Sequence, residues 1–108
     1  MKRKYIEICE EKGWRVTKNT DGSVDLAQYS PAGEDFFFTV SESSFVEDVE
    51  EYAEGFDVDE HIQMWIEAKS NGVRGVPSAR ELVHDAEDIQ EMLNELAEAL
   101  TATKEETE

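Results

Sequence analysis

The spacing of apolar residues divides the chain into one helix, three strands and three further helices. An amphipathic helix is predicted over residues 3–12, and Gly13 is placed to end it. Three alternating runs over residues 14–19, 24–29 and 35–40 read as strands, separated by turn residues. Because parallel strands need long crossovers and these connections are short, the runs predict an antiparallel meander.

Capping patterns mark the start of each later helix. A short oxygen-bearing side chain is followed three residues later by glutamate, which satisfies the free amides of a first helical turn. The pairs are Ser44 with Glu47, Asp57 with Glu60, and Ser78 with Glu81. The helices are predicted to run to about Glu54, Ser70 and Ala102, with glycine-containing breaks after the first two.

The last helix carries an apolar heptad. Its members are Ala79, Leu82, Ala86, Ile89, Leu93, Leu96 and Leu100. Such a stripe packs inside its own domain or joins two copies of the chain. A homodimer would use Leu82, Ile89, Leu93 and Leu96.

These elements predict an α+β fold of order α-β-β-β-α-α-α, with the helices packed on one face of the sheet. Residues 1–102 form a single domain, and residues 103–108 form an acidic disordered tail. Phe37 points away from Phe36 and Phe38, so it lies either in an exposed partner-binding patch or under the N-terminal helix, the arrangement we favour. Cys9 is expected to be a buried, inert thiol.

The charge is distributed unevenly. The chain has 108 residues and a formal net charge of −17. Residues 1–40 hold six bases against seven acids, whereas residues 41–108 hold four bases against twenty acids. Self-repulsion of this size does not stabilise a small domain, so the acid indicates solubility, steering or a cationic partner.

The acids are densest around the first capped helix. The candidate partner-binding residues are Glu47, Asp48, Glu50, Glu51, Glu54, Asp57, Asp59 and Glu60. Residues three and four apart share a helix face, where like charges repel slightly. One interpretation is a row of phosphate surrogates that blocks a basic nucleic-acid groove. The other is a solvated face on an acidic protein.

Other classes of function have little support. The run from Asp57 to His61 fails the calcium-loop pattern, because Ile62 stands where glycine is required. The histidines lack zinc spacing, so we expect no metal or cofactor. No nucleophile or phosphate-loop motif occurs, which argues against an enzyme. No apolar run predicts a membrane span, and the single cysteine suits a cytoplasmic protein.

The segments 56–61, 65–68 and 72–87 are distinctive, above all where Gly75-Val76-Pro77-Ser78 leads into the last helix. Over residues 56–100 the chain resembles small acidic proteins of phages and conjugative elements of gut bacteria. Proteins of that setting include anti-CRISPR proteins and DNA-mimic antirestriction proteins. The resemblance implies a setting and transfers no binding residue.

These observations favour a non-enzymatic inhibitor from a mobile element. Its acidic helical surface would occupy the basic nucleic-acid channel of a host defence nuclease, without binding nucleic acid or membrane itself. The alternative is a structural or accessory interaction module, monomeric or dimeric through the heptad helix, whose acidity serves solubility alone.

Overall fold

The computed structural model describes residues 2–30, 33, 35–70 and 79–107; for residues 65–70, 79–82 and 106–107 it describes the backbone alone. The elements in chain order are α1 (Arg3–Glu11), β1 (Arg15–Lys18), β2 (Ser23–Tyr29), β3 (Asp35–Ser41), α2 (Phe45–Gly55), α3 (Val58–Ser70) and α4 (Ala79–Thr107). This order confirms the predicted α+β class and the predicted succession of elements.

The three strands form an antiparallel sheet in the order β1-β2-β3. The register pairs Val16 with Leu26 and Leu26 with Phe38, so the buried positions of the strands share one face. Alternation is complete along β3, where every second residue from Phe36 to Val40 is buried. The meander follows from this pattern because a shift of one residue would expose the apolar set.

One hydrophobic core fills the space between the covered face of the sheet and the helices. Trp14 lies edge-on to Phe38, with ring centroids 5.6 Å apart, and is only 2% exposed. The core also contains Val24, Leu26, Phe36, Val40, Phe45, Val46, Val49, Ala53, Ile89, Leu93, Leu96 and Leu100. Helices α2 and α4 pack against each other over this core.

Helix α1 lies on the covered side of the sheet. It contacts β1 and α4, and Tyr5 stacks on Phe45 of α2 with centroids 6.3 Å apart. Gly13 ends the helix at φ 91°, a conformation that favours glycine. Since α1 does not reach the opposite face, Phe37 is 64% exposed. The favoured placement of Phe37 under the N-terminal helix was therefore wrong.

The three predicted helix caps have different outcomes. Asp57 caps α3, since its Oδ1 accepts from the Glu60 amide at 3.1 Å. Ser44 precedes α2 but makes no side-chain cap hydrogen bond. Its hydroxyl instead donates to Asp48 Oδ1 at 3.1 Å, because Asp48 already accepts from the Ser41 amide at 2.9 Å and ties β3 to α2. Ser78 lies outside the described residues.

The stripe of α4 points into the domain. Ile89, Leu93 and Leu96 are 0% exposed and belong to the same core as the sheet. These residues were considered as a possible dimer contact, but here they pack inside the domain, where a partner cannot touch them while the core is intact. The side chain of Leu82 lies outside the described residues.

Helix α4 also extends further than its pattern indicated. It continues to Thr107, whereas an end at Ala102 and a disordered tail had been expected. Lys104 explains the difference, because it reaches across to Glu47 and fixes the last turns against α2. None of the helices in the described part of the chain combines the length and apolar content needed to cross a bilayer.

Candidate functional site: an acidic ridge and a groove beside β3

The eight predicted binding residues lie along α2 and the first turn of α3, and we call this surface the acidic ridge. Its members are Glu47, Asp48, Glu50, Glu51, Glu54, Asp57, Asp59 and Glu60. The ridge has two flanks. Glu50 and Glu54 line a groove of about 450 Å³ against α4, together with Glu98 and Glu105. Asp48, Glu51, Asp57 and Glu60 line a larger groove of about 780 Å³ against β3, which we call the β3 groove.

Two ridge carboxylates facing α4 are already engaged within the fold. Glu47 forms an ion pair with Lys104, and Glu50 accepts a hydrogen bond from Thr101. The hydrogen bond from Lys104 lowers the pKa of Glu47 from its ordinary value. These contacts join residues more than fifty positions apart in the sequence. Glu47 and Glu50 therefore serve the packing of α2 on α4 as well as the charge of the ridge.

Two further ridge residues also make hydrogen bonds that stabilise the fold. Asp48 accepts from both Ser41 and Ser44, and Asp57 caps α3. A carboxylate that already accepts hydrogen bonds keeps its negative charge and still has lone pairs for a cation. Asp48 and Asp57 thus contribute charge at fixed positions, whereas their removal would also disturb the fold.

The remaining four ridge residues are exposed. Glu51, Glu54, Asp59 and Glu60 point into solvent, and no ion pair joins them to a base among the described side chains. The exposed side of α4 adds Glu87, Glu91, Glu95 and Glu98. Among the described side chains of α2, α3 and α4, the only lysine or arginine is Lys104, and it forms an ion pair with Glu47. The negative charge on the described side chains of these helices therefore remains largely uncompensated.

Aromatic side chains form the floor of the β3 groove. Phe36 lies at its centre, with ring centroids 6.4 Å from Tyr52, 5.9 Å from Phe56 and 5.9 Å from His61. Tyr52 is held in turn by stacking on Phe38 at 4.4 Å. The rings contact one another closely, so the floor is preformed and apolar.

The rim of the β3 groove is partly apolar and partly acidic. Phe37 and Met64 are 64% and 61% exposed, and both line this groove. Asp35 also lines it, but Arg15 pairs with Asp35 and lies over the Tyr29 ring. The uncompensated negative charge of the groove consequently comes from the helical side.

The main chain of β3 also faces this groove, because β3 is an edge strand. The Glu42 amide donates to the Gly22 carbonyl at 2.9 Å, which makes residues 22 and 42 a hydrogen-bonded pair in the register of β2 and β3. Hydrogen-bonded pairs alternate along an antiparallel ladder. The amides and carbonyls of Phe36, Phe38 and Val40 therefore point to β2.

The same alternation directs the main chain of Asp35, Phe37, Thr39 and Ser41 to the free edge. Asp48 covers the amide of Ser41. Within the described residues, no hydrogen bond reaches the edge amides or carbonyls of Phe37 and Thr39. These two residues leave an open stretch of strand edge in the middle of the groove.

The aromatic floor was not predicted from the sequence. Phe36 and Phe56 were considered as residues that fill a core, and His61 was considered only as part of a resemblance or a metal pattern. The alternation along β3 placed Phe36 on the covered face, but it did not show that α2 and α3 would leave a groove there. That opening depends on how the two helices meet after Gly55.

Among the described residues, no group of three or more His, Cys, Asp or Glu side chains is arranged to hold a metal ion. Cys9 is fully buried, as predicted, and desolvation raises its thiol pKa to about 12. The thiol is therefore protonated and inaccessible at neutral pH.

Comparison of this chain with protein-family models, with curated proteins and with solved structures finds no match. The resemblance over residues 56–100 stays a prediction, and residues 71–78 within it lie outside the described residues.

Proposed function

We propose that this chain is a non-enzymatic binding protein that occupies a basic, nucleic-acid-binding surface of another protein and inhibits it by excluding the nucleic acid. The density of charge on α2 carries the proposal. Five carboxylates fall within eight residues, from Glu47 to Glu54. A helix rises about 1.5 Å per residue, so they occupy about 12 Å of helix axis.

This density is comparable to that of a nucleic acid. With Glu47 neutralised by Lys104, four charges remain over that length, or about one per 3 Å. One DNA strand carries about one phosphate per 3.4 Å of axis. Lysine and arginine side chains arranged for phosphates would thus meet carboxylates at a similar spacing.

The absence of lysine and arginine from α2 supports a partner outside the chain. Each like-charged pair three or four positions apart destabilises a helix by a few tenths of a kcal/mol. Lysine at any of these exposed positions would relieve that repulsion, yet the described side chains of α2 carry none. A cationic partner would supply the missing compensation on binding, and opposite charge would speed its association.

The resemblance to proteins of mobile elements suggests a class of target. A nuclease of a bacterial host defence system, such as a CRISPR effector, has a basic channel of this kind. We propose that the target is a nuclease of this class.

The first experiment is capture of partners from bacterial lysate by the tagged protein at low and at moderately high salt. Identification by mass spectrometry should return a nucleic-acid enzyme that elutes as salt increases. A labelled DNA duplex bound to that enzyme should then be displaced by the protein. Capture that is indifferent to salt, or an enzyme that keeps its duplex, would contradict the proposal.

Paired variants test the surface. Glu51→Gln with Glu54→Gln removes two exposed charges from the ridge, and each exposed charge in an interface contributes about 0.2–1 kcal/mol. We therefore expect roughly twofold to thirtyfold weaker displacement. The control is Glu10→Gln with Glu11→Gln, which removes the same charge from exposed positions of α1. Equal loss in both pairs would indicate a general charge effect and not a binding surface.

A further inference from the structure

We infer that the β3 groove binds an extended, lysine- or arginine-rich segment of the partner protein by adding it as a fourth strand beside β3. The inference deepens the proposed function and rests on it in one respect, since both require a cationic partner. It differs in that the partner is held by main-chain hydrogen bonds and by an apolar floor as well as by charge.

The free edge of β3 can form main-chain hydrogen bonds with an added strand. Phe37 and Thr39 present amides and carbonyls to the groove at the two-residue spacing of an antiparallel ladder. Open strand edges in natural proteins are usually short, covered or charged, because they recruit other strands. Here Asp48 closes only the Ser41 end, and the open stretch lies inside a groove of about 780 Å³. That volume is within the range of sites that hold ligands.

The side chains on either side of the β3 groove fit alternating basic and apolar residues. Successive side chains of an added strand point alternately to the helical side and to the open face of the sheet. On the helical side, a long basic side chain would lay its methylene groups on Tyr52 and Phe56 and place its charge by Glu51 or Glu60. On the open face, an apolar side chain would contact Phe37. The groove therefore fits a segment that alternates basic and apolar residues.

Charge decides between the possible occupants. A second copy of this chain would bring another net charge of −17 to the same edge, and nucleic acid or an anionic membrane would be repelled in the same way. Glu51, Asp57 and Glu60 line the groove, and Arg15 is paired with Asp35 at its rim. A cationic segment is the occupant that this arrangement complements.

The test uses a fluorescent peptide of about seven residues, the length of β3, that alternates lysine with valine. Fluorescence anisotropy should show binding to the intact protein, and none by the same peptide with glutamate in place of lysine. N-methylation then tests the strand pairing. Methylation of those peptide amides that would donate to Phe37 and Thr39 should weaken binding about tenfold or more. Methylation of the alternate amides should leave the affinity within about threefold.

A variant of the protein gives a second readout. Thr39→Pro removes one edge amide without removing a bond to β2, because that amide points outward. The matched control is Thr39→Val, which keeps the amide and, like proline, loses the hydroxyl that donates to Asp25. Binding should be lost in Thr39→Pro and kept in Thr39→Val. If Thr39→Pro does not fold, the N-methylated peptides decide with the unaltered protein.

Several results would overturn the inference. They are no peptide binding, equal effects of the two methylation registers, or equal binding by Thr39→Pro and Thr39→Val. A dimer in sedimentation that Thr39→Pro dissociates would assign the edge to a second copy. The proposed function fails separately. Salt-sensitive capture from lysate that persists in Thr39→Pro keeps the proposed function without the added strand. If the unaltered protein captures no partner at any salt concentration, the proposed function fails, and the peptide measurements still decide the inference.

Discussion

Replacement of Leu93 by alanine separates the two roles that an apolar heptad on α4 can have. Leu93 is 0% exposed and packs in the core shared by α2, α4 and the sheet. Removing a fully buried leucine side chain costs about 3–5 kcal/mol, from lost burial and from the cavity left behind. If the stripe instead joined two copies, the main effect would be on association.

The expected loss is large for this protein. Domains of this size unfold with about 5–15 kcal/mol, so Leu93→Ala should remain folded with a small margin. A loss of 1 kcal/mol lowers the melting temperature of a domain near 100 residues by about 4–8 °C, so the variant should melt at least about 12 °C lower. The control is Glu95→Ala on the exposed side of the same helix, which should change stability by less than about 0.5 kcal/mol.

Urea unfolding followed by far-ultraviolet circular dichroism measures the free energy of unfolding, and sedimentation velocity measures the mass. The packing argument predicts a large fall in the free energy of unfolding and no change in mass. A loss below about 1 kcal/mol, together with conversion from dimer to monomer, would refute it and restore the heptad as a dimer contact.

Three further predictions follow from local contacts. Because burial raises the pKa of Cys9 to about 12, a thiol reagent should label it at neutral pH only when urea unfolds the chain. Asp57→Ala should lower the free energy of unfolding by about 1 kcal/mol, measured by urea, since the Glu60 amide loses its acceptor; Asp57→Asn should restore most of it. Lys104 lowers the pKa of Glu47 below its usual 4.5, so this pair stabilises the fold above that pH and the contribution is lost on acidification. Urea midpoints of Lys104→Met should therefore fall below those of the unaltered protein at neutral pH, and the difference should shrink as the pH falls below 4.5; a constant difference on acidification would contradict the assignment.

Local sequence was sufficient for the elements of this fold. Gly13 ends α1 through a positive φ, and Asp57 starts α3 through its carboxylate, both within a few residues of the signal. The alternation from Phe36 to Val40 placed β3 on the covered face because period-two burial has one solution. The acidic character of α2 was equally visible, since charge is a property of composition.

The fates of particular side chains depended on contacts between distant segments. Ser44 has a capping sequence, but Asp48 draws its hydroxyl away because Asp48 is held by the end of β3. The sequence of residues 103–108 resembles a tail, yet Lys104 finds Glu47 across the bundle, and the helix continues. A local pattern cannot anticipate a partner more than fifty residues away.

The sequence by itself determined the succession of helices and strands along the chain, the alternating burial along β3 and the excess of negative charge, because each arises from neighbours in the chain. Tertiary structure alone decided that α1 leaves Phe37 exposed, that the α4 stripe is internal, and that a groove remains between β3 and the helices α2 and α3. It did so because packing the core fixes where each helix lies on the sheet. The groove beside β3 is the space that this packing leaves open.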